Sequence, residues 1–146
     1  MNGRKAILDS NIIIYLSKGI LDIKDIMASY DDLYISIITY LEVMGFRFSD
    51  EADKDIIKDL LNSFEMINIV PGIAENVISI RQQKKMKLPD AIILATAKFM
   101  DCDLLTRNVN DFLNIVEEVN IVNPFERPQS QEDEEIQEII ENGTST

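Results

Sequence analysis

Histidine is absent from the 146-residue sequence, and cysteine occurs once, at Cys102. The first absence excludes His-ligated zinc, a Ser-His-Asp triad and a ribonuclease mechanism based on histidine acid–base catalysis. The single cysteine excludes four-cysteine zinc sites, iron–sulfur clusters and internal disulfides, a usage typical of a reducing compartment. Carboxylate chemistry, with or without a hard metal ion, therefore remains as the main route to catalysis.

Long uncharged hydrophobic runs are also lacking. The apolar run near the N-terminus is interrupted by Asp9, Ser10 and Asn11, so it matches neither a signal peptide nor a membrane span. With 46% hydrophobic and 27% charged residues, the composition is that of a globular protein. We therefore expect a soluble cytoplasmic domain, which at this length can bury about two-thirds of its unfolded surface.

Acidic residues outnumber basic ones by 26 to 14, and the net charge is −12. Residues 1–126 carry 13 bases and 20 acids, which is a net −7, and residues 127–146 carry one base and six acids, which is −5. An acidic domain repels nucleic-acid phosphates at long range. A role in nucleic-acid binding would therefore need bound cations and a local basic patch.

The composition changes after Pro124, where the sequence becomes polar and acidic. We assign residues 1–126 to one folded domain and residues 127–146 to an acidic C-terminal tail, expected to be flexible. Ile136, Ile139 and Ile140 lie at helical spacing within this tail. A short helix that docks on another surface is the alternative for this segment.

Short apolar segments alternate with helical patterns along the domain. Strands are predicted at residues 5–8, 33–36, 66–70, 103–106 and 119–122. Helices are predicted to begin near Ser10 or Asn11, Asp22, Thr39, Asp50, Ile73 and Leu88. The alternation predicts an α/β fold, a three-layer α/β/α sandwich with a mainly parallel central sheet. Ligands bind such sheets at the carboxyl ends of their strands.

Four acidic residues are predicted at this carboxyl edge, and we call them the acidic quartet. They are predicted at the end of the first strand, in the first turn of the helix after the second strand, in the first turn of the helix before the fourth strand, and just after the fourth strand. In that order they are Asp9, Glu42, Asp90 and Asp111. Four converging carboxylates repel one another unless a cation is bound. A donor set made only of oxygen suits Mg²⁺ or Mn²⁺. Other acids, such as Asp31 and Asp103, are predicted at the opposite edge and are poor candidates.

Each member of the quartet also has a purely structural explanation. Thr39 and Glu42 have the spacing of a capping box, and Asp90 would be favoured by the dipole of its helix. Asp9 could cap a helix or form a turn, and Asp111 could cap a short helix. Joint occurrence at one edge favours a functional interpretation, since the structural one needs four separate coincidences.

Two other classes of function stay open on the residues alone. One is a non-catalytic interaction module in which the four acids serve stability. The other is a phosphotransfer domain of the receiver or aspartyl-phosphatase type. Such phosphatases usually have a second Asp two residues after the nucleophile, where this sequence has Asn11 after Asp9.

Four segments in this order resemble the PIN-domain nucleases, most closely the VapC-type toxins of prokaryotic toxin–antitoxin pairs: LDSNIIIYL, YISIITYLEVMGF, KLPDAIILATA and LLTRNVNDF. The resemblance covers about residues 4–126. It implies a parallel sheet in the order 3-2-1-4-5 and a metal-dependent endoribonuclease that uses Mg²⁺ or Mn²⁺. It also implies an RNA substrate, a homodimer and a cognate antitoxin that approaches the acidic site.

The same resemblance assigns roles to individual residues. The acidic quartet corresponds to the family's catalytic, metal-binding carboxylates. Polar positions of its second and last motifs correspond to Ser36, Thr106 and Asn108, which would orient ligands and waters. Candidate RNA contacts are the bases close to the predicted edge, namely Arg81, Lys84, Lys85, Lys87 and Arg107. Complementing a helix dipole explains the lysines equally well.

Overall fold

The computed structural model describes residues 3–125, so the predicted tail, residues 127–146, lies outside the described residues. Within them the elements, in chain order, are β1 Lys5–Leu8, α1 Ser10–Ser17, α2 Ile23–Met27, β2 Asp32–Ser36, α3 Ile37–Met44, α4 Glu51–Asn62, β3 Glu65–Ile67, α5 Pro71–Gln83, α6 Leu88–Met100, β4 Asp103–Leu105, α7 Val109–Phe112 and β5 Ile121–Val122. Over the same range, no helix has the length and apolar character needed to cross a membrane.

The five strands form one parallel sheet in the order β3-β2-β1-β4-β5. The predicted fold class and strand order are therefore confirmed. β1 lies in the middle, where Ile7 is paired with Tyr34 of β2 and Leu104 of β4. A residue that directly follows β1 consequently emerges at the centre of the carboxyl edge.

Alternating side chains of the sheet divide the core into two apolar clusters. Ala6 and Leu8 of β1 pack with α1 and α4, whereas Ile7 between them packs with α5 and α6 on the other face. The deepest helix is α6, in which every residue from 91 to 97 is buried. Its run of apolar residues predicted this burial. Layers of helices on both faces of the sheet complete the α/β/α sandwich.

Helices α5 and α6 lie side by side in opposite directions. Gly72, near the start of α5, is in close contact with Phe99, near the end of α6, since a Cβ at Gly72 would lie 2.5 Å from the Phe99 ring. The end of α5 therefore lies close to the start of α6. This arrangement brings the loop between the two helices, residues 84–87, to the carboxyl edge.

Strand β3 is shorter than the sequence predicts, ending at Ile67 instead of residue 70. Ile67 pairs with Ser36, the last residue of β2, so β3 has no backbone partner beyond this point. Pro71 then occupies the first turn of α5, where its missing N–H costs no hydrogen bond. The length of a strand here depends on its neighbour, which local periodicity does not report.

Helix α3 begins earlier than predicted, at Ile37 instead of Thr39. Ser36 is its N-cap, and the Ser36 hydroxyl accepts a hydrogen bond from the Ile38 amide at 3.1 Å. Thr39 is fully buried in the first turn, and its hydroxyl has no hydrogen-bond partner among the described residues. The capping box of Thr39 and Glu42 is therefore wrong, and Glu42 lies in the second turn of α3.

This helix start can be tested by a pair of substitutions. Ser36→Ala should lower the free energy of unfolding by about 1 kcal/mol, because the cap is lost. Thr39→Val should leave it unchanged or raise it, because a buried hydroxyl without a partner is replaced by a methyl group of similar size. Urea denaturation measures both. A larger loss for Thr39→Val than for Ser36→Ala would contradict the described cap.

Candidate active site

Asp9 is the buried centre of the carboxyl edge, with 6% of its surface exposed. It directly follows β1, and its Oδ1 accepts a hydrogen bond from the Ser10 amide at 2.7 Å, which caps α1. Its Oδ2 accepts a hydrogen bond from the Thr106 hydroxyl at 2.8 Å. Asp9 is therefore the N-cap of α1, which confirms the first of its two structural explanations, and Ser10 is the first residue of the helix.

The other three members of the quartet come from three different helices. Asp90 lies in the first turn of α6, as predicted, and is partly buried. Glu42 on α3 and Asp111 on α7 are exposed. Asp111 lies within α7, and the next residue, Phe112, anchors this helix in the core. Neither Glu42 nor Asp111 caps a helix, so the capping explanation of these two residues is wrong.

Electrostatic interactions join the four carboxylates into one group. Burial raises the pKa of Asp9 to about 6, the hydrogen bonds from Thr106 and Ser10 oppose this rise, and the charges of Asp90 and Glu42 add to it. Burial likewise raises the pKa of Asp90, with further increases from Asp111 and Glu42. The structure therefore places all four acids within electrostatic range of at least one other member.

Two polar residues next to Asp9, at the predicted start of α1, also belong to the site. The Ser10 hydroxyl donates a hydrogen bond to Oε1 of Glu42 at 2.9 Å and joins α1 to α3. The Asn11 side chain donates to Oδ2 of Asp9 at 3.4 Å. Their position in the first turn after the central strand was a usable signal. Their contacts depend on tertiary structure, which spacing does not show.

Hydrogen bonds hold the segment after β4 against the same site. Thr106 is fully buried and accepts a hydrogen bond from the Asn108 amide at 3.0 Å while it donates to Asp9. The Arg107 amide donates to Oδ1 of Asn11 at 3.3 Å. Of the three residues expected to orient ligands, Thr106 contacts the quartet. Among the hydrogen bonds of residues 3–125, the side chains of Ser36 and Asn108 do not.

Arg107 is held by aromatic side chains beside this segment. Its guanidinium donates a hydrogen bond to the Tyr15 hydroxyl at 2.6 Å and lies 5.3 Å from the centres of the Tyr15 and Phe125 rings. The two rings pack edge to face, 5.1 Å apart. Arg107 therefore lies close to the quartet, with its charge held on the side of α1.

Four exposed bases lie on the other side of the quartet, in what we call the basic segment: Arg81, Lys84, Lys85 and Lys87. The first three line a shallow polar recess of about 340 Å³ at the end of α5. Lys87 lowers the pKa of Asp90, in opposition to the neighbouring acids, so the basic segment reaches the quartet at this residue. The predicted position of these bases at the carboxyl edge agrees with this geometry.

An apolar groove of about 440 Å³ opens beside Glu42, between α1, α3 and α4. We call it the α1–α4 groove, and its apolar lining residues are Ile14, Val43, Phe46, Phe48, Ile56 and Ile57. Ser10 and Glu42 of the acidic site form one end of it. Phe46 is 69% exposed and Ile56 is 53% exposed, so much apolar surface faces solvent here.

Acids predicted at the opposite edge, and therefore poor candidates for the site, have structural partners there. Asp103 accepts hydrogen bonds from the Arg4 guanidinium at 3.2 Å and from the Tyr30 hydroxyl at 2.8 Å. Asp31 accepts one from the Arg4 amide at 2.9 Å. The quartet differs, because no Lys or Arg among residues 3–125 forms an ion pair with Asp9, Glu42, Asp90 or Asp111.

Comparison with protein families gives a match to the PIN domain over residues 6–118. The chain belongs to the PIN-domain family. Among solved structures, a chain of a toxin–antitoxin complex from Klebsiella pneumoniae is 37% identical, with a TM-score of 0.69 over 84% of this chain and 99% of that one. The predicted resemblance is thereby confirmed. A comparison with curated proteins gave no significant match.

More distant PIN-like structures share the fold at lower identity. A chain of DNA-bound VapBC from Salmonella typhimurium is 18% identical, with a TM-score of 0.72 over 83% of this chain and 98% of that one. A chain of VapBC-1 from nontypeable Haemophilus influenzae is 23% identical, with a TM-score of 0.67 over 84% and 99% of the two chains.

PIN-domain nucleases generally use a divalent metal ion. Among the described residues, no three His, Cys, Asp or Glu side chains are placed closely enough to hold a metal ion by themselves. The chemistry of the donors fits Mg²⁺, which often takes one or two carboxylates and completes its coordination with water and substrate phosphates. Asp9 and Asp90 are the carboxylates that a cation would stabilise most, since the pKa of each is raised.

The raised pKa of Asp9 predicts a loss of stability as the pH rises. In the folded state Asp9 keeps its proton up to a pKa of about 6, whereas the unfolded chain releases it near 3.8. The free energy of unfolding should therefore fall between about pH 4 and pH 6, by roughly 3 kcal/mol from this residue, and stay lower above pH 6. In Asp9→Asn the free energy of unfolding should not show this contribution, because the amide does not titrate.

Urea denaturation at pH 4 and pH 7, with a chelator present, measures the difference between parent and variant. Asp59→Asn is the matched control, because Asp59 is exposed on α4 away from the quartet. It should follow the parent at both pH values. An identical pH dependence of the parent and Asp9→Asn would contradict the described environment of Asp9.

Proposed function

We propose that this PIN domain is a metal-dependent endoribonuclease and the toxin of a toxin–antitoxin pair. One observation carries the nuclease proposal: four mutually repelling carboxylates from β1, α3, α6 and α7 share one edge, without ion pairs to bases among residues 3–125. Family membership and a relative found in a toxin–antitoxin complex support the assignment.

In this proposal Asp9, Glu42, Asp90 and Asp111 would hold one or two Mg²⁺ or Mn²⁺ ions. When bound, such an ion supplies Lewis acidity toward a phosphoryl oxygen and lowers the pKa of a bound water. Thr106 would hold the Asp9 carboxylate, and Ser10 that of Glu42, through the hydrogen bonds described above. Ser36 would act indirectly by fixing the start of α3, and Asn108 would contribute from the adjoining loop.

Hydrolysis by water in line with the scissile bond leaves a 5′-phosphate on the RNA product. Attack by the neighbouring 2′-hydroxyl would instead leave a cyclic phosphate, a route usually assisted by histidine, which this sequence lacks. The basic segment and Arg107 would bind the RNA phosphates on either side of the quartet. A cognate antitoxin and a second copy of this chain are the proposed protein partners.

A non-catalytic PIN-like interaction module is the second candidate. The observation that favours it is the lack, among the described residues, of three ligands already placed for a metal ion. Exposed apolar surface in the α1–α4 groove also suits a protein partner. The two candidates differ in whether the quartet binds a divalent ion and whether RNA is cleaved.

Calorimetry with Mn²⁺ on the full chain and on Asp90→Asn separates them. The parent should bind Mn²⁺ saturably, and Asp90→Asn should bind it at least about tenfold more weakly, because a ligand is neutralised. Only the parent should then cleave RNA, leaving 5′-phosphate ends.

The control for surface charge is Asp55→Asn, which removes an exposed acid of α4 and should bind Mn²⁺ as the parent does. Equal weakening in both variants would attribute binding to the acidic surface and count against the nuclease proposal. An absence of saturable binding to the parent would favour the interaction module. Cyclic-phosphate ends would contradict the proposed hydrolysis.

Charge reversal at Lys84 and Lys85 tests the basic segment. Lys84→Glu/Lys85→Glu should weaken RNA binding and flatten its dependence on salt, by about 0.7 in log–log slope for each lost phosphate contact on a single strand. Titrations of labelled RNA between low and physiological salt measure the slope, in an Asp90→Asn background that prevents cleavage. Lys54→Glu/Lys58→Glu on α4 makes the same change in net charge. An equal effect of the two pairs would contradict a contact at Lys84 and Lys85.

A further inference from the structure

The α1–α4 groove gathers several apolar side chains, some of them exposed to solvent, in one concave surface. Ile57 and Val43 form its floor, and Phe46 and Ile56 are exposed at its sides. Exposed apolar surface of this kind marks a site of interaction. The position of the groove beside Ser10 and Glu42 means that anything seated in it also lies against the acidic site.

The described part of the chain ends against α1, the helix that forms one wall of this groove. Phe125 is buried against Tyr15 of α1, and the residue before Tyr15, Ile14, lines the groove. The chain therefore leaves the domain on one side of α1, and the groove lies on another side of the same helix. A helix with its side chains is only about 10–12 Å across, so the distance around α1 is short.

The tail has a sequence that suits an apolar groove. Its large apolar residues are Ile136, Ile139 and Ile140, which share one face at helical spacing. In such a helix Glu134, Glu138 and Glu141 would fall on the opposite face. The match to the PIN domain ends at residue 118, before the tail begins.

We propose that the tail docks into the α1–α4 groove of its own chain, with Ile136, Ile139 and Ile140 against the apolar lining. Ile136 follows Phe125 by eleven residues, which can span up to about 36 Å when extended, so the tail reaches the groove easily. A short tether gives an effective concentration on the order of millimolar, so weak apolar contacts are enough. The acidic face stays in solvent, away from Glu42 and Asp53 at the groove.

Cysteine labelling tests this docking without any assumption about activity. Ile56→Cys places a thiol in the groove, and its rate of reaction with N-ethylmaleimide is measured with the natural tail and with Ile136→Ser, Ile139→Ser and Ile140→Ser combined. The serine tail keeps the length and charge of the segment. Removal of the docked isoleucines should accelerate labelling by roughly fivefold or more.

Ile78→Cys on α5 is the matched control, because Ile78 is 55% exposed and Ile56 is 53% exposed. Its labelling should not depend on the tail. The natural Cys102 is buried, and burial raises the pKa of its thiol to about 12, so its background reaction is slow. Circular dichroism of each variant verifies folding.

Equal labelling of Ile56→Cys with either tail would overturn the proposal. Protection that increases with protein concentration would also overturn it, because a second copy would then be the occupant. Protection that appears only after addition of a partner peptide would assign the groove to that partner instead. Protection that is independent of concentration supports docking within one chain.

A consequence for activity rests on the proposed nuclease function. A docked tail lies beside Glu42, so the serine tail should increase the rate of RNA cleavage. Tail-dependent labelling without any RNA cleavage would leave the docking in place and count against the nuclease. RNA cleavage together with labelling that does not depend on the tail would overturn the docking and leave the nuclease proposal in place.

Discussion

The hydrogen bond from Thr106 to Asp9 joins the two central strands of this protein at their carboxyl ends. Asp9 is nearly fully buried, and burial of a carboxylate is costly unless hydrogen bonds compensate for lost hydration. Thr106, the Ser10 amide and the Asn11 side chain supply these bonds. They fix the start of α1 and the segment after β4, and Ser10 of α1 in turn contacts Glu42.

The hydrogen bonds to Asp9 do not fully compensate for the burial of its carboxylate, so its pKa stays raised. The hydrogen bonds oppose the rise of the Asp9 pKa, but burial and the charges of Asp90 and Glu42 outweigh them. Acids at the opposite edge show the contrast, since Asp103 is paired with Arg4 and Tyr30. A fold selected only for stability gains from pairing its acids in that way. Among residues 3–125 the quartet has no such base, and this contrast supports the proposed role in binding cations.

Periodicity was sufficient for the alternation of strands and helices and for the burial of α6. Together with the handedness of crossovers, it also indicated the edge on which the quartet lies. The strand order came instead from the resemblance to the PIN-domain nucleases. Single polar residues were harder. Ser36 and Thr39 are both residue types that cap helices. Only the structure shows that Ser36 is the cap, and that the buried Thr39 hydroxyl has no hydrogen-bond partner among the described residues. The bond between Ser10 and Glu42 joins residues 32 positions apart, so no local pattern could predict it.

The two surfaces beside the quartet belong to opposite faces of the sheet. The basic segment lies where α5 meets α6, and the α1–α4 groove lies on the face that contains Ile57 and Val43. A polyanion and an apolar peptide would therefore approach the same acids from different sides. Because each surface has its own residues, a charge change at Lys84 need not disturb the groove, and a change at Ile56 need not disturb the bases. A segment docked in the groove, as proposed, would therefore lie beside Glu42 without covering the basic segment.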